Sequence, residues 1–310
     1  MSFPESTPNL LCRLVLVAVL IVSIVYVLVP NLPPTMTLTL SIPLDNPIFS
    51  AFDPSKVALL VESRPLSILA PLLLHFISVV PPDWHFRFMG SPESLAAINA
   101  SSAIRQHVLD GKLELNVIPP NMSTQGQEMI SRFFTTLWLY ETVLQPAEWL
   151  LVFQTDSIVC ANSKKSLDDF LEYDWIGAPW DPNSSWGGNG GLSLRRVSRI
   201  IDILRNEERP FDSEPEDVWI SERLARHPKA KVANGTVSLE FSGELHSGAG
   251  EHVKAGGKGI DDWREGFYEP LGYHTGGGGV WLHGPIWGSP ELRQHIWSYC
   301  PEVPEGLNDD

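Results

Sequence analysis

Four short stretches of this sequence carry side chains able to do chemistry. The first is Phe153-Gln154-Thr155-Asp156-Ser157-Ile158. The apolar run Trp149–Phe153 before it reads as a buried strand, so Asp156 sits at a strand's carboxyl end. A carboxylate there can hold a divalent cation, Mn2+ or Mg2+, that neutralises a diphosphate. The same residue also suits an ordinary turn. The second is Trp186-Gly187-Gly188-Asn189-Gly190-Gly191-Leu192-Ser193-Leu194-Arg195, where closely spaced glycines ahead of an alternating strand let a ligand approach the backbone. It lacks the Gly-Lys-Ser/Thr ending of a phosphate-binding P-loop, and a tight hairpin is the competing reading.

The third stretch, Ser213-Glu214-Pro215-Glu216-Asp217-Val218-Trp219, places carboxylates at a helix start, where one can serve as a general base. Ser213 and Glu216 have the spacing of a capping box, with Pro215 in the first turn. That assigns Glu216 to structure and leaves Asp217 as the candidate base, although acidic residues favour first turns in any case. The fourth is Pro270-Leu271-Gly272-Tyr273-His274, whose histidine can ligate a metal or meet a diphosphate. Trp180 and Trp186 flank the glycine-rich segment and suit stacking on a sugar ring, though most of the eleven tryptophans will be packing residues.

The elements that must position these residues alternate in type. Val57–Glu62, His85–Met89, Leu113–Ile118 and Trp149–Phe153 read as strands; Ser67–Val80, Ser94–Asp110 and Ile130–Leu144 read as helices. Such alternation predicts an α/β fold with a mostly parallel sheet flanked by helices. In these sheets ligands bind beyond the strand carboxyl ends, which draws attention to Glu62–Arg64 and Gln154–Ser157. The second half is rich in Gly and Trp, with helical pieces expected at Ile200–Arg205 and Val218–Arg226 and a loop at Gly243–Gly259.

The 310 residues suffice for one large domain or two small ones. With 37 Asp and Glu against 22 Lys and Arg the net charge is −15, which disfavours a nucleic-acid partner. Three cysteines do not make a disulfide scaffold, although Cys160 and Cys300 can pair in an oxidising lumen.

Leu14–Val29 is uncharged and apolar, and with Leu10 and Leu11 it approaches the roughly 20 residues that cross a bilayer. The prolines that follow fit a stem better than a signal-peptide cleavage site. Arg13, the only cation before Lys56, favours a cytoplasmic amino terminus. Sequons at Asn99, Asn121, Asn183 and Asn234 agree with a luminal body. The expected organisation is a cytoplasmic tail (1–13), a transmembrane anchor (14–29), a Pro-rich stem (30–54), a luminal domain (55–300) and an acidic tail (301–310).

Together, Lys56-Val57-Ala58…Glu62-Ser63-Arg64-Pro65-Leu66, Phe153–Ser157, Tyr173-Asp174-Trp175-Ile176-Gly177-Ala178-Pro179-Trp180 and Gly188–Arg195 resemble domain-of-unknown-function family 5672, a glycosyltransferase-like family frequent in fungi. The motif order is also similar to that of GT-A nucleotide-sugar transferases, and Glu216-Asp217-Val218 resembles the Glu-Asp-Val of β1,3-galactosyltransferase-type enzymes. The resemblance implies a GT-A-like, Rossmann-type fold and a type II membrane protein of the Golgi or endoplasmic reticulum. It implies transfer of a sugar from a nucleotide-diphosphate donor to a glycan or glycoconjugate acceptor with inversion. Glu62, Arg64, Asp156 and Ser157 would bind the donor, and Asp156 with His274 the metal. Trp180, Gly188, Asn189, Gly190 and Gly191 would form the donor–acceptor loop, and Asp217 the base. One departure stands out: Gln154 occupies the first position of the Asp-x-Asp metal motif. That favours an alternative, a non-catalytic glycan-binding protein on a degenerate transferase fold. A metal-dependent hydrolase would need more clustered His and Asp ligands than the chain shows. Thr275–Gly279, a low-complexity insertion, could displace His274.

Overall fold

The computed structural model describes residues 52–247, 267–276 and 284–303. The expected anchor, nearly all of the stem, most of the 243–259 loop and the end from residue 304 lie outside the described residues. Among the described residues no helix is long and apolar enough to cross a membrane.

In chain order the elements are β1 (Lys56–Val61), α1 (Leu69–Val79), β2 (His85–Gly90), α2 (Pro92–Asn99), α3 (Ser102–Leu109), β3 (Leu113–Val117) and α4 (Gly126–Phe134). A π-helical turn at Leu139–Val143 leads to β4 (Trp149–Phe153), β5 (Ser157–Val159), β6 (Trp175–Gly177), β7 (Leu192–Arg196) and α5 (Val197–Leu204). Then come α6 (Glu216–Arg226), α7 (Gly235–Phe241), β8 (Ser242–Gly243), β9 (Gly272–His274) and α8 (Pro290–Tyr299). Six strands form the main sheet in the order β3-β2-β1-β4-β7-β6. The first four are parallel, with Leu59 opposite Arg87 on one side and Val152 on the other. β7 runs antiparallel to both β4 and β6.

The apolar strand runs follow from burial on both faces. Ala58, Leu60, Phe88 and Phe153 pack toward α1, where Phe76 stacks on Phe153 with centroids 4.0 Å apart. Val57, Leu59, Leu150 and Val152 face the opposite layer, which holds Phe133, Ile200 and Trp219. Each fully buried aromatic or aliphatic side chain contributes roughly 1.5–3 kcal/mol.

Two expected helices are each broken. The run expected over Ser94–Asp110 divides because the Ser101 hydroxyl accepts from Ile104 N at 3.4 Å and starts α3. The run expected over Ile130–Leu144 stops at Phe134, where the Thr135 and Thr136 hydroxyls donate back to the carbonyls of Ser131 and Phe133, both at 2.8 Å. Apolar spacing continues across both breaks, so periodicity does not register them.

A second, three-stranded sheet has the order β5-β9-β8. Its antiparallel β5–β9 pair sets Ser157 opposite His274. A disulfide joins Cys160, just after β5, to Cys300, just after α8, with both residues buried and their Cα atoms 4.9 Å apart. Tyr299 Oη also donates to the Pro270 carbonyl. The carboxyl-terminal helix is thereby held on the ribbon that carries His274. The four sequon asparagines are all exposed.

Candidate active site at the carboxyl edge of the sheet

The chain runs outward from β1 through β2 to β3, then returns to β4 on the other side of β1. Loops leaving β1 and β4 therefore diverge, and a crevice opens between them. A cleft of about 660 Å³ lies there, walled by Glu62–Arg64 after β1, Gln154–Asp156 after β4 and Thr124–Gly126 ahead of α4. The third wall was not signalled by any sequence motif. It is tied to the first by a 2.8 Å hydrogen bond between the hydroxyls of Ser63 and Thr124.

Glu62 does not face the cleft as an independent contact. Its Oε1 accepts from Arg64 Nε at 3.0 Å and from Arg64 N at 2.8 Å, and its Oε2 accepts from Nη2 at 2.7 Å. The carboxylate thus presents an Arg64 side chain that is 69% exposed. The Arg64 guanidinium is held charged mainly by Glu62 and, more weakly, by Asp156. Ser157, expected to touch the donor, is turned inward. Its hydroxyl donates to the Gly191 carbonyl at 2.7 Å and accepts from Gln154 N at 3.2 Å, so it braces the glycine-rich segment.

The β5–β9 register brings His274 to Asp156, with Nε2 3.4 Å from Oδ1. On the other side of the ring, Nδ1 lies 3.2 Å from Glu244 Oε1. Glu244 stands at the head of the stretch read as a glycine-rich loop and belongs to no motif; only the β8–β9 pairing reveals it. Asn189 Nδ2 donates to the same Glu244 oxygen at 3.3 Å. Burial by itself lowers the His274 pKa, but the Asp156 and Glu244 carboxylates outweigh it and push the imidazole up to about 9. His274 is therefore not displaced by the following glycines; residues 277–279 lie outside the described residues.

The glycine-rich segment threads between these groups. Gly188 has φ 135°, and a Cβ there would lie 2.7 Å from the Gly177 carbonyl oxygen. A Cβ on Gly191 would lie 2.2 Å from His274 Nε2 and 2.7 Å from Gln154 Oε1, so close approach requires glycine. One residue earlier, Gly190 N donates to Asp217 Oδ2 at 3.0 Å, while Val218 N donates to Oδ1 at 2.9 Å. Asp217 thus holds the first of two consecutive glycines, and His274, paired with Asp156, lies against the second; Asp156 lines the cleft, whereas Asp217 is not among its walls. Trp180 and Trp186 meet edge to face beside the same segment, with centroids 6.4 Å apart. The capping box expected at Ser213 and Glu216 does not form. Pro215 occupies the cap position without a side-chain bond, and the Glu216 carboxylate pairs with Arg195 instead. Glu216 is structural, but through a buried ion pair.

A divalent cation fits this donor set when it displaces the proton that Asp156 and Glu244 otherwise keep on His274. His274 Nε2 is buried without a well-aligned hydrogen bond, 3.4 Å from Asp156 Oδ1, and a Cβ at residue 191 would crowd it. One carboxylate and one imidazole suit Mn2+ or Mg2+ when phosphate oxygens and water complete the shell. Among the described residues no three His, Cys, Asp or Glu side chains form a metal cage. Glu244 lies at the far nitrogen, where it fixes the ring instead of ligating.

A family model described as a protein of unknown function, DUF5672, matches residues 112–256. The match spans Asp156, the glycine-rich segment, Asp217 and Glu244. No curated relative matches the chain. Among solved structures, the mannosyltransferase PcManGT from Pyrobaculum calidifontis, in complex with GDP-Man and Mn2+, is 12% identical with a TM-score of 0.39; 59% of this chain and 56% of that one are covered. The chain thus spans little more than half of that protein. The mannosyltransferase Ktr4p from S. cerevisiae is 11% identical, with a TM-score of 0.35 and coverage of 54% and 59%. A glycosyltransferase involved in glycosylation of the major capsid of PBCV-1 is 15% identical, with a TM-score of 0.39 and coverage of 72% and 93%.

Proposed function

We propose that the chain is a GT-A-like glycosyltransferase that moves a sugar from a nucleotide-diphosphate donor to a glycan or glycoconjugate acceptor. One observation carries this reading: Asp156, which lines the cleft at the carboxyl edge of the sheet, pairs with His274, and the two consecutive glycines 190 and 191 link His274 to Asp217. Arg64 and the Thr124–Gly126 wall hold the nucleoside diphosphate in that cleft. Asp156 and His274 would hold Mn2+ or Mg2+, which when bound offsets the charge on the departing diphosphate. Glu244 fixes the His274 ring so that Nε2 faces Asp156.

Asp217 takes the proton of the acceptor hydroxyl. The hydroxyl oxygen then bonds to the anomeric carbon from the side opposite the leaving group. The carbon–oxygen bond to phosphate breaks, the diphosphate keeps the electron pair, and the configuration inverts. The two backbone N–H groups on Asp217 hold its carboxylate in one orientation and leave a lone pair on each oxygen for the proton. Trp180 and Trp186 offer ring faces to the acceptor. Arg13, the apolar 14–29 segment, four exposed sequons and the disulfide support a type II protein with its body in the lumen of the Golgi or endoplasmic reticulum.

The purified full-length protein in detergent tests this, incubated with a panel of nucleotide sugars and glycan acceptors with and without Mn2+. Acceptor-dependent release of nucleoside diphosphate is expected. Asp217→Asn lowers turnover by ~10²–10⁴-fold while nucleotide binding persists; full turnover in that variant removes the base assignment. Gln154, in the place of a second carboxylate, favours one other reading, a glycan-binding protein without transfer. Glycan binding with no nucleotide release in any condition would decide for it.

A further inference from the structure

Arg195 carries a guanidinium with no solvent exposure, and Glu216 opposite it is 10% exposed. Removing both ions from water costs several kcal/mol each, and apolar replacement of such pairs is often neutral or stabilising. Stability alone therefore does not account for the pair, whereas its bonding does. Arg195 Nη1 and Nη2 donate to the two Glu216 oxygens at 3.0 and 2.8 Å, and Nη2 also donates to the Gly190 carbonyl at 3.0 Å. Nε donates to Ser193 Oγ, whose own hydroxyl bonds the same Gly190 carbonyl, each at 2.8 Å. The plane is held by Trp175 and Phe134, at 4.4 and 5.1 Å from the ring centroids. Gly190 in turn gives its N–H to Asp217, the residue after Glu216.

We infer that Arg195 and Glu216 are positioning residues that aim Asp217. Arg195, Gly190, Asp217 and Glu216 close a ring: the guanidinium fixes the Gly190 carbonyl and the first residue of α6, and the peptide fixed at Gly190 seats the Asp217 carboxylate. A Cβ at residue 190 would lie 2.6 Å from Glu216 Oε1, 2.8 Å from Arg195 Nη2 and 3.0 Å from Asp217 Cβ, so the three groups converge on that one peptide. Neither member of the pair touches substrate. Together they set where the base stands, and a displacement of about 1 Å in a reacting group can cost ~10²-fold in rate. The catalytic part of this inference rests on the transferase reading; the geometric part does not.

Two variants and two readouts test it. Arg195→Lys keeps the charge but loses the two-pronged contact. The double variant Arg195→Met with Glu216→Gln removes both charges and retains folding. Each is expected to lose ~10–10²-fold in kcat with donor KM within about twofold of the parent. The double variant melts at or near the parent temperature. Amide hydrogen exchange at Gly190, slow in the parent, quickens in both variants whether or not a substrate is known. A double variant that transfers at the parental rate, or a Gly190 amide that stays equally protected, overturns the inference. An inactive parent, or full turnover by Asp217→Asn, overturns the transferase reading instead and leaves the exchange result to judge the geometry.

Discussion

At the residue scale, Gly191 has no room for a side chain. Gly191→Ala would set a methyl 2.2 Å from His274 Nε2, so either the imidazole or the loop must move. A loss of about 1–3 kcal/mol in denaturant unfolding is expected, as for other overpacked sites, together with weaker Mn2+ binding by titration calorimetry. Asp156→Ala removes one of the two carboxylates flanking His274 and the only protein oxygen assigned to the cation. For the parent, nucleotide plus Mn2+ at 100 times Kd should stabilise by about 2.7 kcal/mol. The Asp156 variant should show no such shift in differential scanning fluorimetry, and an unchanged shift would remove Asp156 from the donor site. Asp156 and Asp217 were legible because each closes a local pattern, a strand end and a helix start. Glu244 was not, because nothing beside it in sequence marks it and its partner lies thirty residues on. The inward turn of Ser157 was equally hidden, since a hydroxyl's partner is a tertiary fact.

At the scale of elements, the β5–β9 ribbon decides whether His274 reaches Asp156, and the Cys160–Cys300 disulfide holds α8 against that ribbon. The bridge links residues 140 apart, so it closes a long loop in the unfolded chain. Cys160→Ser should cost roughly 2–5 kcal/mol in urea unfolding. The same loss is expected from the parent under reductant, and equal midpoints with and without reductant would show the bridge absent. The strands of the parallel half were readable because both faces are buried and their sequences become continuous apolar runs. The helices around them were less so. Ser101 and the pair Thr135-Thr136 end helices through side-chain bonds to the backbone, which apolar periodicity does not record.

For the whole molecule, the exposed sequons and the disulfide lead to one expectation about location. Expressed in a eukaryotic secretory host, the chain should migrate above its 34.5 kDa mass and return to it after peptide N-glycosidase treatment. Asn99→Gln, Asn121→Gln and Asn183→Gln should each remove one step, read by gel mobility and by mass spectrometry of the treated asparagines. A single unshifted species would count against a luminal body.

The sequence by itself determined the strand–helix alternation, the carboxylates at a strand end and a helix start, the glycine-rich approach and the acidic surface, because each is written in neighbouring residues. Only the tertiary structure decided that His274 and Asp217 meet at Gly190-Gly191, that Asp156 and Glu244 flank His274, and that Glu216 answers a buried arginine instead of capping its own helix. The reason is physical. Burial and local hydrogen bonding act over a few residues and leave a pattern in the chain, whereas strand register and ion pairing are settled by which distant segments come to lie against one another.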